Sequence, residues 1–270
     1  MVYESEYKEL LPNSDLSKRK EYWEVGKGLQ KADGLTTSEY LETVIADTLS
    51  GKYDTQDAPK KVAEYYKQHA ASDTSCRTEE ADMSAARIAA YLEIDDFKFS
   101  PAMLKSIHKT IFEGALPKDW VGVWRNVNLS KDEPVLNGAT VTYTDYRGIV
   151  DTLSYDFDQQ ENTSYSLPIT QEQVHDIARF MSRIWEVHPF REGNTRTVST
   201  FMIKYLRKNG ININNEPFAE HAKWLRDALV RANYSSAELG VVSTQEYLNT
   251  FYENVLMKSD HNLAAISLKV

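Results

Sequence analysis

The nine-residue stretch HPFREGNTR (188–196) places a histidine, a glutamate, a Gly-Asn pair and two arginines close together. Pro189 disfavours helical geometry in the residue before it, so the preceding helical pattern ends near His188. A second helical pattern begins after the loop, and the free N–H groups and positive dipole end of that helix face the loop. Such a helix start binds anions, and phosphate is the usual occupant.

The polar residues of this loop suit phosphate chemistry. Gly193 and Asn194 lie where the second helix begins, and the planar guanidinium of Arg196 in its first turn suits phosphate oxygens. Glu192 fits beside a phosphate when Mg²⁺ lies between them, because Mg²⁺ binds one carboxylate together with substrate phosphates. His188, at the end of a helix, is placed to take a proton from an incoming hydroxyl. Together these residues predict transfer of a phosphate-containing group.

Two other interpretations of the loop are weaker. In a purely structural loop, Asn194 caps a helix, His188 is a half-buried core residue and Glu192 pairs with an arginine, so each residue needs its own explanation. In a zinc site, His188 and Glu192 would have to share one helix, which Pro189 breaks, and no third ligand stands out.

Apolar residues recur at helical spacing through most of the chain and predict an all-α fold. Ser100 and Pro101 begin one helix, in which His108 has a structural role. Thr170 and Gln173 form a capping box at the start of the helix that ends at His188. Further helices are predicted in SEYLETVIADTLSGKY, APKKVAEYYKQHA, TEEADMSAARIAAYLEI and TRTVSTFMIKYLRKNG.

The segment PVLNGATVTYT (134–144), here called the flap, departs from this pattern. Asn137-Gly138 separates two β-branched runs and predicts a small β-hairpin. The hairpin is either an incidental connection or a device that presents backbone groups to a partner. The residues predicted to form its edges are Val135, Leu136, Thr140 and Val141.

Charge and composition limit the class of protein. The net charge of −9 argues against a nucleic-acid partner but permits one anionic ligand held by a few arginines. No apolar window is long enough to span a membrane, and the first residues lack the apolar core of a secretory signal. The single cysteine, Cys76, excludes an internal disulfide and fits a reducing cytosol. We therefore expect a cytoplasmic protein without membrane or nucleic-acid partners.

HPFREGNTR closely resembles the signature of Fic-domain proteins, His-x-Phe-x-Asp/Glu-Gly-Asn-Gly-Arg. WVGVWR and DALVRANY also look like parts of a Fic core, which the resemblance extends over residues 75–257. The polar stretch ASDTSCRTEE (71–80) then separates this core from an N-terminal helical module, residues 1–72, and residues 258–270 form a tail. Most Fic proteins are adenylyltransferases, which move AMP from ATP onto a Ser, Thr or Tyr hydroxyl of a target protein.

The resemblance assigns roles to individual residues. It implies that His188 is the general base, that Phe190 anchors the loop and that Glu192 holds Mg²⁺ between the α- and β-phosphates of ATP. Asn233 is implied to contact the nucleotide, and the hairpin to align the target by strand addition. It also implies that the α-phosphate lies against Gly193 and Asn194 and that the outer phosphates lie against Arg196.

Two departures from the signature leave alternatives open. Thr195 replaces the usual third glycine, and Ser199 stands where many members carry a second arginine, which meets the γ-phosphate or an inhibitory glutamate. Because of these changes, two alternatives to adenylyl transfer stay open: a Fic-type transferase of another phosphate-containing group, and a regulatory protein that binds a nucleotide without turnover. The sequence names no target protein, and it allows a homodimer without demanding one.

The N-terminal module resembles the small antitoxins that hold Fic toxins inactive through a Ser/Thr-x-x-x-Glu-Gly motif. The equivalent segment is Leu29 to Gly34, with Asp33 in place of the glutamate. This predicts a module that braces the core and restrains it weakly. A helical hairpin with ordinary packing is the alternative.

Overall fold

A computed structural model describes residues 13–69 and 77–270. Within these ranges the regular structure is helical, and one isolated bridge, Ser236 with Val241, is the sole β pairing. The all-α fold class is confirmed. None of the described helices is both long and apolar enough to cross a bilayer. The α-helices are α1 Asn13–Gln30, α2 Glu39–Leu49, α3 Ala58–Gln68, α4 Thr78–Glu93, α5 Pro101–Phe112, α6 Ile149–Glu161, α7 Gln171–Val187, α8 Asn194–Lys208, α9 Glu216–Glu220, α10 Ala222–Ala232 and α11 Glu246–Leu256.

The helices that flank the loop begin and end at the predicted signals. The Ser100 hydroxyl accepts a hydrogen bond from the Met103 N–H, with Pro101 in the first turn of α5. Thr170 and Gln173 form the capping box that starts α7. The short loop 188–193 joins α7 to α8; α8 is buried from Asn194 to Leu206, whereas α7 buries one face and exposes Arg179 on the other.

Two glycines let α1 lie very close to its neighbours. A Cβ atom on Gly28 would lie 2.0 Å from the carbonyl oxygen of Ala219, and one on Gly26 would lie 2.5 Å from that of Ala85. Val25 and Leu29 on the same helix belong to the main hydrophobic core. The end of α1 is thereby fixed beside α4 and α9. The division into residues 1–72, 75–257 and 258–270 stays a prediction, because residues 70–76, Cys76 among them, lie outside the described ranges.

The predicted β-hairpin in the flap is wrong. Residues Pro134–Leu136 form a turn of 3-10 helix, and Asn137 and Gly138 follow it with φ angles of 55° and 93°. The Gly138 N–H donates to the Glu133 carbonyl, so the two positive-φ residues close a compact loop instead of joining two strands.

Burial explains this difference. Val135, Leu136 and Val141 are buried in the main core, so their runs pack inward and do not form sheet edges. Thr140, the fourth predicted edge residue, accepts a hydrogen bond from the Lys131 N–H through its hydroxyl.

Candidate active site

The backbone of the loop 188–193 turns sharply at both ends. His188 ends α7 in the left-handed conformation, with φ 48°, and its N–H donates to the Trp185 carbonyl. Gly193 precedes α8 with φ 72°, and a Cβ atom there would lie 2.4 Å from the Phe112 ring. Glycine at position 193 therefore satisfies both the conformation and the space that the start of α8 requires.

Asn194 holds the loop closed. Its Oδ1 accepts from the Phe190 N–H at 2.9 Å, and its Nδ2 donates to the Phe190 carbonyl at 2.8 Å. Because both side-chain groups bind within the loop, the group that Asn194 can offer to an anion is its backbone N–H. Phe190 is fully buried, in keeping with an anchor.

His108 supports the loop from α5. Its Nδ1 accepts from the Gly122 N–H at 3.0 Å, so its Nε2 carries the proton that is donated to the Glu192 carbonyl at 3.1 Å. Burial lowers the pKa of His108 to about 4, which keeps the ring neutral. Its imidazole stacks on Phe190 with 3.9 Å between ring centroids. This is a structural role.

His188 has the protonation state of a base. Its Nδ1 lies 3.3 Å from the Trp185 carbonyl, which can only accept, so in the neutral ring Nε2 is left as the proton acceptor. Burial lowers the pKa of His188, and the positive charges of Arg226, Arg125 and Lys131 lower it further. The imidazole is therefore neutral at physiological pH.

Glu192 lies between the guanidinium groups of Arg77 and Arg196. Its Oε1 accepts from the Gly193 N–H at 3.0 Å, and its Oε2 lies 3.7 Å from the guanidinium of Arg77. Nowhere in the described ranges do three or more His, Cys, Asp or Glu residues converge as a metal site. Because Asp33, the other carboxylate of the cavity, is paired with Arg196, Glu192 fits Mg²⁺ that is bound jointly with substrate phosphates better than a cage built by the protein alone.

Arg196 is fully buried, and its guanidinium is engaged by other side chains. Its Nε lies 2.7 Å from Asp33 Oδ2, and its Nη2 lies 2.9 Å from Glu80 Oε1. Its Nη1 donates to Gln30 Oε1 at 3.0 Å and to Ser84 Oγ at 3.3 Å. This set, called here the Arg196 cluster, occupies the guanidinium that the resemblance assigns to the outer phosphates.

Asp33 reaches the cluster from the end of α1. A turn of 3-10 helix, Lys31–Asp33, follows α1 directly, and Gly34 closes it with φ 71°. The antitoxin-like segment Leu29 to Gly34 thus contacts Arg196, the last residue of the HPFREGNTR stretch. Gln30, Glu80 and Ser84 were missed in the sequence analysis; Glu80 and Ser84 lie one turn apart on α4, but nothing in the sequence indicates their partner.

Five predicted site residues line one cavity of about 50 Å³: Asp33, His188, Glu192, Gly193 and Asn194. Lys131, Arg191, Thr195 and Arg226 complete its walls. Asn233 is not among the lining residues, since its Nδ2 donates to Leu229 and Ser182 and ties the end of α10 to α7. Small-molecule pockets usually measure about 300–1,000 Å³. The cavity is therefore smaller than a pocket that encloses a whole small-molecule ligand.

The two substituted signature positions are both buried. The Thr195 hydroxyl accepts from the Trp185 indole N–H at 3.0 Å, so it is directed toward α7. Ser199 is fully buried, and its hydroxyl has no hydrogen-bond partner in the described ranges.

A buried ion pair, also missed in the sequence analysis, anchors the flap. Arg226 on α10 donates to Glu133 Oε2 at 2.6 Å and to Glu133 Oε1 at 2.8 Å. Glu133 is fully buried and Arg226 nearly so. The pair fixes the residue before the flap to one wall of the cavity.

Comparison with known proteins matches residues 98–206 to the Fic/DOC family model. Among curated proteins, no significant match is found. Three solved structures share 16–17% sequence identity with the chain. The N-terminal Fic domain of Bep8, an effector from Bartonella sp. 1-1C, has a TM-score of 0.48, with 77% of this chain and 88% of that chain covered. The N-terminal Fic domain of an effector from Bartonella sp. AR 15-3 has a TM-score of 0.48, with 73% of this chain and 82% of that chain covered. BepC from Bartonella tribocorum, with bound AMPPNP, has a TM-score of 0.47, with 73% of this chain and 87% of that chain covered.

Proposed function

The chain contains a Fic/DOC-family domain over residues 98–206, and from that premise we propose that it is a Mg²⁺-dependent protein adenylyltransferase. It moves AMP from ATP to a Ser, Thr or Tyr hydroxyl of a target protein. The observation that carries the proposal is the neutral His188, which lines one cavity with Glu192 and the start of α8.

In the proposed reaction, Nε2 of His188 accepts the proton of the target hydroxyl, and the hydroxyl oxygen bonds to the α-phosphorus of ATP. The bond from that phosphorus to the oxygen that bridges to the β-phosphate breaks, and pyrophosphate leaves. Glu192 is the residue that would hold Mg²⁺, which offsets phosphate charge when bound. The N–H groups at the start of α8 stabilise the charge on the α-phosphate.

The ion pairs and hydrogen bonds of Arg196 support two further candidates. With this guanidinium in the Arg196 cluster and Ser199 uncharged, the cations that line the cavity are Lys131, Arg191 and Arg226. That set suits a transferase of another phosphate-containing group, or a regulator that binds a nucleotide without turnover.

Intact-mass spectrometry separates these candidates. The purified protein is incubated with ATP, with and without Mg²⁺, alone and then in cell lysate. A gain of one adenylyl group that requires Mg²⁺ supports adenylyl transfer, and a different added mass supports transfer of another group. Nucleotide binding without any added mass on this protein or on lysate proteins indicates the regulator.

We further propose that Asp33 restrains the site, because its ion pair withholds Arg196 from a phosphate. Asp33→Ala is expected to raise the rate of AMP transfer about tenfold, which is a typical coupling between two sites. The rate is measured by intact mass at subsaturating ATP. Asp57→Ala is the matched control, since Asp57 is an exposed carboxylate in the same part of the chain. Equal rates in Asp33→Ala and in the unchanged protein would contradict the restraint.

The pH dependence follows from the state of His188. Its pKa lies below the ordinary value of about 6.5, so the ring stays in the base form as pH falls from 8 to about 6. We expect the rate of AMP transfer at saturating Mg²⁺ and ATP to stay level over this range. A rate that halves near pH 6.5 would show a base with an ordinary histidine pKa.

A further inference from the structure

The flap contacts the loop 188–193 through a pair of stacked rings. The ring of Tyr143 stacks on the imidazole of His188, with 3.9 Å between centroids and 24° between planes. The indole of Trp185 meets the same imidazole edge-on, with centroids 5.3 Å apart and planes at 88°. Two aromatic rings therefore confine His188, one from the flap and one from α7.

Arg125 ties the two sides of this contact together. It is nearly fully buried, and its Nε donates to the His188 carbonyl at 2.7 Å while its Nη2 donates to the Val187 carbonyl at 3.2 Å. The same Nη2 also donates to the carbonyl of Thr144, the residue after Tyr143. Arg125 thus links the backbone beside Tyr143 to the backbone of His188.

Tyr143 contacts His188 through its ring and not through its hydroxyl. The side chain is 8% exposed, and its hydroxyl lies beside the carboxylate of Glu133, without a hydrogen bond of normal geometry. The imidazole of His188 has one weak polar restraint, the 3.3 Å contact from Nδ1 to the Trp185 carbonyl. Without the stack, the ring of His188 gains freedom to rotate away from the hydroxyl it has to deprotonate.

We propose that Tyr143 is a positioning residue: its ring holds the imidazole of His188 in the orientation for proton transfer and couples the flap to the base. This role rests on the proposed function, because the orientation of the imidazole affects the rate only if His188 acts as the base. An aromatic pair of this kind corresponds to about a tenfold preference for one orientation. A target segment that moves the flap also moves the base.

The test compares Tyr143→Leu, Tyr143→Phe and Tyr155→Leu. Tyr155 is 62% exposed and serves as the control. Tyr143→Leu is expected to lower the rate of AMP transfer at saturating ATP about tenfold, with little change in the ATP concentration that gives half the maximal rate. Tyr143→Phe keeps the ring and is expected to restore the rate to within about twofold, as Phe and Tyr stack alike.

Nuclear magnetic resonance gives a readout that does not depend on turnover. Titration of the His188 ring signal is expected to show a higher pKa in Tyr143→Leu than in the unchanged protein, because water reaches the exposed imidazole. Tyr143→Met, with a flexible apolar side chain, replaces Tyr143→Leu if thermal melting shows that the latter does not fold.

An unchanged rate together with an unchanged His188 titration in Tyr143→Leu overturns the proposal. A loss in Tyr143→Phe as large as that in Tyr143→Leu also overturns it, since the hydroxyl is then the active group. If even the unchanged protein transfers nothing, the proposed function fails, and the His188 titration alone decides whether Tyr143 holds the ring.

Discussion

Replacing His188 by alanine is expected to lower the rate of AMP transfer by about two to four orders of magnitude, the usual contribution of a positioned general base. The expectation rests on Nδ1, which contacts the Trp185 carbonyl and leaves Nε2 as the proton acceptor. The affinity for ATP is expected to change little, since the imidazole meets the incoming hydroxyl and not the nucleotide. Intact mass over time measures the rate, and calorimetric titration with Mg²⁺ and ATP measures the affinity.

The control for this substitution is His69→Ala, at an exposed histidine that directly follows α3. Its rate should match that of the unchanged protein. Retained transfer in His188→Ala would refute the assignment of the base. Loss of ATP binding in the same variant would show that His188 contacts the nucleotide.

Glu133→Gln is expected to lower the free energy of unfolding by about 3–5 kcal/mol. Glu133 and Arg226 form a bidentate pair at 2.6 and 2.8 Å, and neither side chain reaches bulk water to a large extent. Loss of one charge leaves the other buried without its counter-charge, which is the costly case for a buried pair. Urea denaturation followed by circular dichroism measures the change.

Two further variants make this measurement specific. Asp47→Asn breaks an exposed pair with Lys52 and is expected to cost at most about 1 kcal/mol. Replacing both Glu133 and Arg226 by methionine is expected to restore part of the stability, because no buried charge then remains unpaired. If Glu133→Gln lowers the free energy of unfolding by no more than Asp47→Asn does, the Glu133–Arg226 pair is well solvated and the prediction is wrong.

The parts of the fold that the sequence predicts are those set by local signals. The capping box at Thr170 and Gln173 and the Ser100-Pro101 start involve residues within one turn of each other, so the sequence places these helix ends. Pro189 likewise predicts the end of α7 and hence the position of His188. The loop that carries the candidate site follows from these helix ends.

The parts that the sequence does not predict depend on distant partners. Asn137-Gly138 has the positive φ angles of a tight turn, but burial of Val135 and Leu136 in the core replaces the hairpin with a turn of 3-10 helix. The Arg196 cluster joins α8 to Gln30, 166 residues earlier in the chain, and to Glu80, 116 residues earlier. No local pattern encodes contacts at such a separation.

On the proposed function, the guanidinium of Arg196 takes part in two competing contacts, one with Asp33 and one with a phosphate of the nucleotide. If a phosphate recruits Arg196, Asp33 has to release it, so the docking of α1 and the binding of nucleotide compete. Linkage is reciprocal: whatever holds α1 against the core weakens nucleotide binding by the same factor by which the nucleotide loosens α1. On the proposed function, the ATP concentration at which such a protein becomes active depends on how firmly α1 packs against the core.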